Sequence, residues 1–262
     1  MNLSLENKHA LVCGSTQGIG KASAMELAAL GAKVTLVARN EDELKKVCAE
    51  LPALHGQKHD FITADFSAPA ELKSKVEKYI SSNGAIHILV NNTGGPSGGP
   101  ITEAKTEEFI SAFNNHLICN HILAQAVFDG MKKSGYGRII NIISTSVKQP
   151  LKGLGVSNTI RAAVANWSKT LAGEVAKFNV TVNNVLPGAT ETIRLKSLVE
   201  AKSNRTGKTT DELKAEMVAE IPMGRFADAS EIANAVGFLA SPAAAYITGI
   251  NIPVDGGRTS SL

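Results

Sequence analysis

Residues 9–30 limit what this chain can fold into more than any other stretch. His9-Ala10-Leu11-Val12-Cys13 is a short apolar run ending at glycine, as expected of a strand buried on both faces in a parallel sheet. Gly14-Ser15-Thr16-Gln17-Gly18-Ile19-Gly20 reads as a turn, and a helix is predicted over about residues 21–30. Gly14 suits a backbone conformation that a Cβ resists. Gly18 lets the chain approach a phosphate closely, and Gly20 lets the helix press on the sheet. The helix opens with free N–H groups and the positive end of its dipole, which suits a pyrophosphate. A glycine pattern alone is compatible with an ordinary tight turn. Here a strand precedes it, a helix follows, and the next strand falls where a dinucleotide-binding fold needs it. Gly14, Ser15, Gln17, Gly18, Ile19 and Gly20 are therefore the first candidate nucleotide contacts.

Strand and helix patterns alternate to the end of the chain. Further strands are predicted at about 33–38, 60–64, 86–90, 138–143, 180–186 and 249–254. Helices are predicted at about 41–51, 69–82, 106–133, 155–177 and 229–239, with a polar helical excursion at 190–221. This alternation implies one α/β domain over residues 1–262, doubly wound, with a parallel sheet and helices on both faces. A composition with 44% hydrophobic and 19% charged residues excludes disorder. The net charge of +3 is spread along the chain and gives no reason to expect nucleic acid. Cys13, Cys48 and Cys119 are odd in number and far apart, and neither a charged-then-apolar leader nor a bilayer-length apolar run is read. A cytoplasmic chain with no membrane partner is the expectation.

The end of the second strand bears on the choice of nucleotide. An NAD-binding fold usually places a carboxylate there for the ribose 2′-OH, whereas a nearby Arg suits a 2′-phosphate. This chain reads Val37-Ala38-Arg39-Asn40, with no acid, so NADP(H) is preferred over NAD(H) and Arg39 is its phosphate contact. Asp65, just past the third strand, is placed to accept from the adenine amino group or to cap the next helix.

With Gly14-x-x-x-Gly18-x-Gly20, Asn91-Asn92-Thr93-Gly94, Ser144 at the end of the fifth strand and Pro187-Gly188, the chain resembles the short-chain dehydrogenase/reductase family. The likeness runs over essentially the full length, through Ile221-Pro222-Met223-Gly224-Arg225-Phe226 to Val254-Asp255-Gly256-Gly257. It implies a Rossmann-type sheet of seven strands, a nicotinamide cofactor, and homodimers or homotetramers built through the helices at 106–133 and 155–177. By the same resemblance Asn92 and Gly94 border the adenosine half of the cofactor, and Pro187, Gly188 and Thr192 border the nicotinamide end. The excursion at 190–221 becomes a substrate lid. Cys13 stands where the family usually has Thr, and Gln17 replaces a basic residue common in NADP users.

The catalytic positions depart further. The family works with Asn, Ser, Tyr and Lys. Here His116 falls at the Asn position and Ser144 keeps the serine. Thirteen residues on, Ser157-Asn158-Thr159-Ile160-Arg161 replaces Tyr-x-x-x-Lys. Ser157 and Arg161 are four apart and share one helix face. An alkyl hydroxyl is a much weaker acid than a phenol, and each pKa unit of deficit corresponds to about 1.4 kcal/mol. Arg stays protonated and cannot relay protons, yet its charge can stabilise an oxyanion. His116 is the one group of the set with an ordinary pKa near neutrality, and is either the proton donor or a structural hydrogen-bonder. With Cys119 it makes only two metal ligands, too few for zinc.

Two readings stand on these residues. One is an NADP(H)-dependent oxidoreductase acting on a small carbonyl or alcohol, with Ser144, Ser157, Arg161 and His116 as its catalytic set. The other is an NADP(H)-binding protein without turnover that serves a regulatory or partner-binding role. The lid's excess of Arg194, Lys196, Lys202, Arg205, Lys208 and Lys214 over acids reads as a solvated face or as guidance for an anionic substrate.

Overall fold

Seven strands form one parallel sheet in the computed structural model, which describes residues 1–261. They are β1 (His9–Cys13), β2 (Lys33–Ala38), β3 (Asp60–Thr63), β4 (Ile88–Asn91), β5 (Gly137–Ile142), β6 (Val180–Pro187) and β7 (Asn251–Val254), in the order β3-β2-β1-β4-β5-β6-β7. Every pairing is parallel. The order reverses between β1 and β4, and a sheet of this kind leaves a crevice at the carboxyl ends of the strands there.

Helices cover both faces because the β1 side chains alternate between two cores. Ala10 and Val12 join Ala24 and Leu27 of α1 (Gly18–Ala29), Leu44 of α2 (Glu41–Glu50) and Ile232 and Val236 of α9 (Ala229–Ala240). Leu11 and Cys13 face the other way, onto Leu72 of α3 (Pro69–Asn83), Leu123 of α5 (Cys119–Ser134) and Val175 of α6 (Gly155–Val175). The three cysteines are free, and burial pushes each thiol above its ordinary pKa. Among the described residues no helix is long and apolar enough to cross a membrane.

Three details differ from the sequence reading. Helix α1 begins at Gly18, inside the turn, with Gly18 itself still in the left-handed region at φ +51°. The long helix predicted over 106–133 is α4 (Thr106–Phe113) and α5 joined by a π-helical turn, Asn114–Ile118, which places an extra residue in the spiral. The excursion at 190–221 is two helices, α7 (Ile193–Thr206) and α8 (Thr210–Ala219), separated by Gly207 in the left-handed region at φ +74°.

A row of amides crosses the sheet near the strand ends. Asn91 donates to Asn141 at 2.8 Å, Asn141 to Asn184 at 3.0 Å, and Asn184 to Asn251 at 2.8 Å. Asn141 also donates to the hydroxyl of Ser168 on α6, at 2.9 Å. These four residues are register partners on β4, β5, β6 and β7.

Candidate active site

The glycine turn is closed from behind by β4. Asn92 donates through its amide to the carbonyls of Cys13 and Gly14, at 3.3 and 3.2 Å. A Cβ on Gly14 (φ +57°) would stand 2.6 Å from the Asn92 carbonyl oxygen, and one on Gly20 would stand 2.1 Å from that of Gly14. Only glycine fits at either position. Ser15 is buried, and its hydroxyl accepts from the Val37 N–H at 3.0 Å. That hydroxyl therefore fastens the turn to β2, which leaves the Ser15 backbone as its means of meeting a phosphate. Gln17 is exposed at the cap position of α1 and makes no side-chain capping bond, so the first-turn N–H groups stay open. Ile19 packs on the core beneath. A Cβ added at Gly94 would meet nothing within 4 Å. Open first-turn donors, a turn closed by packing and open space beside Gly94 fit a bound dinucleotide.

Arg39 is exposed at the end of β2, near enough for its charge to act on Asp65. Asp65 accepts from the Ser67 N–H at 2.8 Å, and this bond, ahead of the Arg39 charge, holds its carboxyl below the ordinary range. At the opposite end Pro187 closes β6, and Gly188 packs so tightly that a Cβ would stand 2.7 Å from the Asp255 Cα. Thr192 caps α7 by accepting from the Leu195 N–H at 3.3 Å, and its methyl would stand 3.2 Å from a Cβ on Gly18. The start of α7 thus packs over the nucleotide turn.

The positions to which the family resemblance assigns catalysis lie across β5 and α6. Ser144 follows β5, half-buried, and its Oγ accepts from the Ser146 N–H at 3.1 Å, which leaves its own proton available. Ser157 is half-buried in the first turn of α6, and among the described residues its hydroxyl has no hydrogen-bond partner. One turn on, Arg161 is buried and donates through Nη1 to the Ile142 carbonyl at 3.0 Å. Desolvation first, then the Arg194 charge, lowers its pKa to about 10, so it remains a cation. The loop after β4 is held over the start of α6 by Gly99, which donates to the Gly153 carbonyl at 2.7 Å. Arg194 on α7 ties to the same loop by donating to the Pro96 carbonyl.

For His116 the geometry favours the second of the two sequence readings, a structural hydrogen-bonder. It lies in the π-helical turn, buried, with Nδ1 2.5 Å from the Thr93 hydroxyl. Burial, then the charges of Arg161 and Arg194, lower its pKa to about 2. A histidine held neutral this firmly cannot act as the proton donor near pH 7. The same holds for buried His9, lowered to about 4, chiefly by desolvation. Below about pH 6.5 the unfolded chain binds protons at both rings while the folded chain does not, so stability falls as the pH falls. Each ring contributes a slope of up to about 1.4 kcal/mol per pH unit. A His116→Gln variant is expected to show a shallower decline than the parent in urea unfolding between pH 6.5 and 4.5. Parallel curves would refute the assignment.

The structure therefore brings Gly14, Gly18, Gly20, Asn92 and Thr192 together. It also groups His116 with Arg161 and Arg194. Thr93 is the residue that sequence reasoning did not place in the site, and its one signal was its position between Asn92 and Gly94; Arg194 was read only as one of the lid cations.

A family model described as enoyl-(acyl carrier protein) reductase matches residues 14–259. The 3-oxoacyl-[acyl-carrier-protein] reductase FabG of Pseudomonas aeruginosa is 35% identical over 261 residues, covering 99% of this chain and 100% of that protein. The corresponding enzyme of Escherichia coli K12 is 36% identical over 255 residues, covering 97% and 98%. Among solved structures, L-sorbose reductase from Gluconobacter frateurii, complexed with NADPH and L-sorbose, superposes with a TM-score of 0.93 at 34% identity over the whole of both chains. YwfH, an NADPH-dependent reductase involved in bacilysin biosynthesis, gives 0.91 at 30% identity over 97% of this chain and 99% of its own. The chain belongs to the short-chain dehydrogenase/reductase family of oxidoreductases.

Proposed function

We propose that this protein is an NADP(H)-dependent oxidoreductase interconverting a carbonyl and an alcohol through a rebuilt proton-handling site. The observation that carries the reading is the glycine turn, closed by packing that forbids any Cβ at Gly14 or Gly20 while the donors of α1 stay open. Gly14, Gly18, Gly20 and the backbone of Ser15 would hold the pyrophosphate, with Gln17 and Ile19 bordering it. Asp65, Asn92 and Gly94 would lie along the adenosine half, and Pro187, Gly188 and Thr192 along the nicotinamide. NADPH, when bound, supplies the hydride. Ser144 and Ser157 then donate to the substrate oxygen, while the fixed charge of Arg161 stabilises the negative charge that builds there. With His116 neutral and buried, the proton that completes the alcohol comes from solvent. That several relatives bind NADPH supports the choice of nucleotide.

Arg39 decides the preference for the phosphorylated form. Losing a charge-assisted bond worth about 1.5–3 kcal/mol corresponds to about 10- to 100-fold in affinity. Arg39→Ala is expected to weaken NADPH binding by that factor and leave NADH binding unchanged, as read by calorimetry. Equal losses for both nucleotides would overturn the assignment. Reading the chain as a homodimer or homotetramer is supported by Ile110 and Phe113, apolar side chains of α4 that are 57% and 39% exposed. Light scattering at the mass of one chain would exclude it.

The second reading, nucleotide binding without turnover, is favoured by the absence of a group near neutrality among Ser144, His116, Ser157 and Arg161. Multiple turnovers by the parent on any carbonyl substrate would exclude it.

A further inference from the structure

Near the start of α6 the protein buries a charge that no carboxylate among the described residues neutralises. Arg161 is 8% exposed, and among the described residues only the neutral carbonyl of Ile142 accepts from it. Among the described residues no carboxylate lies within ion-pair distance of Arg161 or of Arg194. The two guanidinium groups nevertheless converge. A Cβ on Gly95 would stand 3.3 Å from Nη2 of Arg194 and 3.7 Å from Nη2 of Arg161, so both flank one point of the loop after β4. The third titratable group facing this point, His116, is neutral.

Taking a cation out of water without a partner is unfavourable, and a second like charge beside it adds to the cost. On the reading above, the phosphates of the nucleotide are taken up by the open donors of α1, and the reduced nicotinamide ring carries no charge to offer the pair. What the pair lacks is an anion, and the planar forks of two arginines suit oxygen atoms held in a fixed geometry.

We propose that Arg161 and Arg194 together bind an oxyanion of the substrate, so that the carbonyl or alcohol belongs to a molecule also bearing a carboxylate or a phosphate. This rests on reading the crevice as the dehydrogenase site. Because Arg194 sits on α7 and Arg161 on α6, the anion would bridge the two helices across the loop at Gly95 and Pro96. A substrate lacking the charge would leave both cations uncompensated and bind weakly.

The test is calorimetry on the NADPH-saturated protein, with malonate and inorganic phosphate as probes and malonamide as the uncharged control. Malonate or phosphate is expected to bind and malonamide is not. Arg161→Gln and Arg194→Gln are each expected to weaken the anion at least tenfold. A preference for malonate assigns a carboxylate, and a preference for phosphate assigns a phosphoryl group. Failure of both anions to bind the parent, or binding unchanged in both variants, overturns the proposal. Arg194 is at the surface, so its variant keeps the test decisive where loss of Arg161 unfolds the chain. A parent that binds no NADPH would defeat the functional reading, while the same anion titrations would still decide the arginine site.

Discussion

Replacing Gly20 by alanine is expected to remove nucleotide binding and lower the stability of the whole domain. The added Cβ would stand 2.1 Å from the Gly14 carbonyl oxygen and 2.6 Å from the Asn92 amide nitrogen. The first obstacle is backbone, and the second is an amide already engaged with the carbonyls of Cys13 and Gly14. Neither gives way by a simple rotation. Overpacking of this kind costs about 1–3 kcal/mol. The turn must open to relieve it, and the donors at the start of α1 lose their aim. Nucleotide affinity is expected to fall at least about 100-fold, equivalent to about 2.7 kcal/mol. Thermal melts read both effects at once: the parent melts higher when NADPH is added, and the variant melts low with or without it. Gly94→Ala is the contrasting case, since nothing stands within 4 Å of its Cβ position. It is expected to melt with the parent in the absence of nucleotide. A Gly20→Ala protein that NADPH still stabilises would show that the turn is not the binding site.

The second large effect is expected from restoring the family's acid and its lysine. Ser157 has a free hydroxyl, and Arg161 lies one helical turn beyond it on the same face. A Ser157→Tyr, Arg161→Lys double variant places a phenol beside an ammonium, and a general acid of that kind contributes about 10²- to 10⁴-fold. With methyl acetoacetate as an uncharged ketone and saturating NADPH, kcat is expected to rise by a factor in that range. The oxyanion-bearing substrates inferred for the parent are expected to bind the double variant less well, because the guanidinium fork is gone. Equal rates on the ketone would mean that Ser157 and Arg161 already handle the proton, and the account of their chemistry given above would fail.

The sheet was legible because strands buried on both faces write themselves as continuous apolar runs, and Lys33–Ala38 and Val180–Pro187 need no tertiary information to be seen. Arg39 was legible for a similar reason: its place at a strand end is a matter of counting. What escaped is what depends on distance along the chain. The Ser15 hydroxyl meets β2 at Val37, Thr93 meets His116, and Arg194 reaches a carbonyl 98 residues earlier. No period encodes such pairs. The two roles left open for His116 have the same origin. Its ordinary pKa of 6.5 was the right starting value, and the burial and two arginines that lower it belong to other elements. The π-helical turn that carries His116 falls inside what was read as one continuous helix over 106–133.

The row of asparagines across β4, β5, β6 and β7 has a mechanical consequence. A slip of one residue in any of these strands would carry its amide to the opposite side of the sheet and strand the neighbouring groups in an apolar interior. The four strands are thereby pinned level with one another, like planks doweled through a common line. A floor that cannot shear leaves adaptation to the roof. Any change of shape that accompanies ligand binding falls to α7 and the loop it touches.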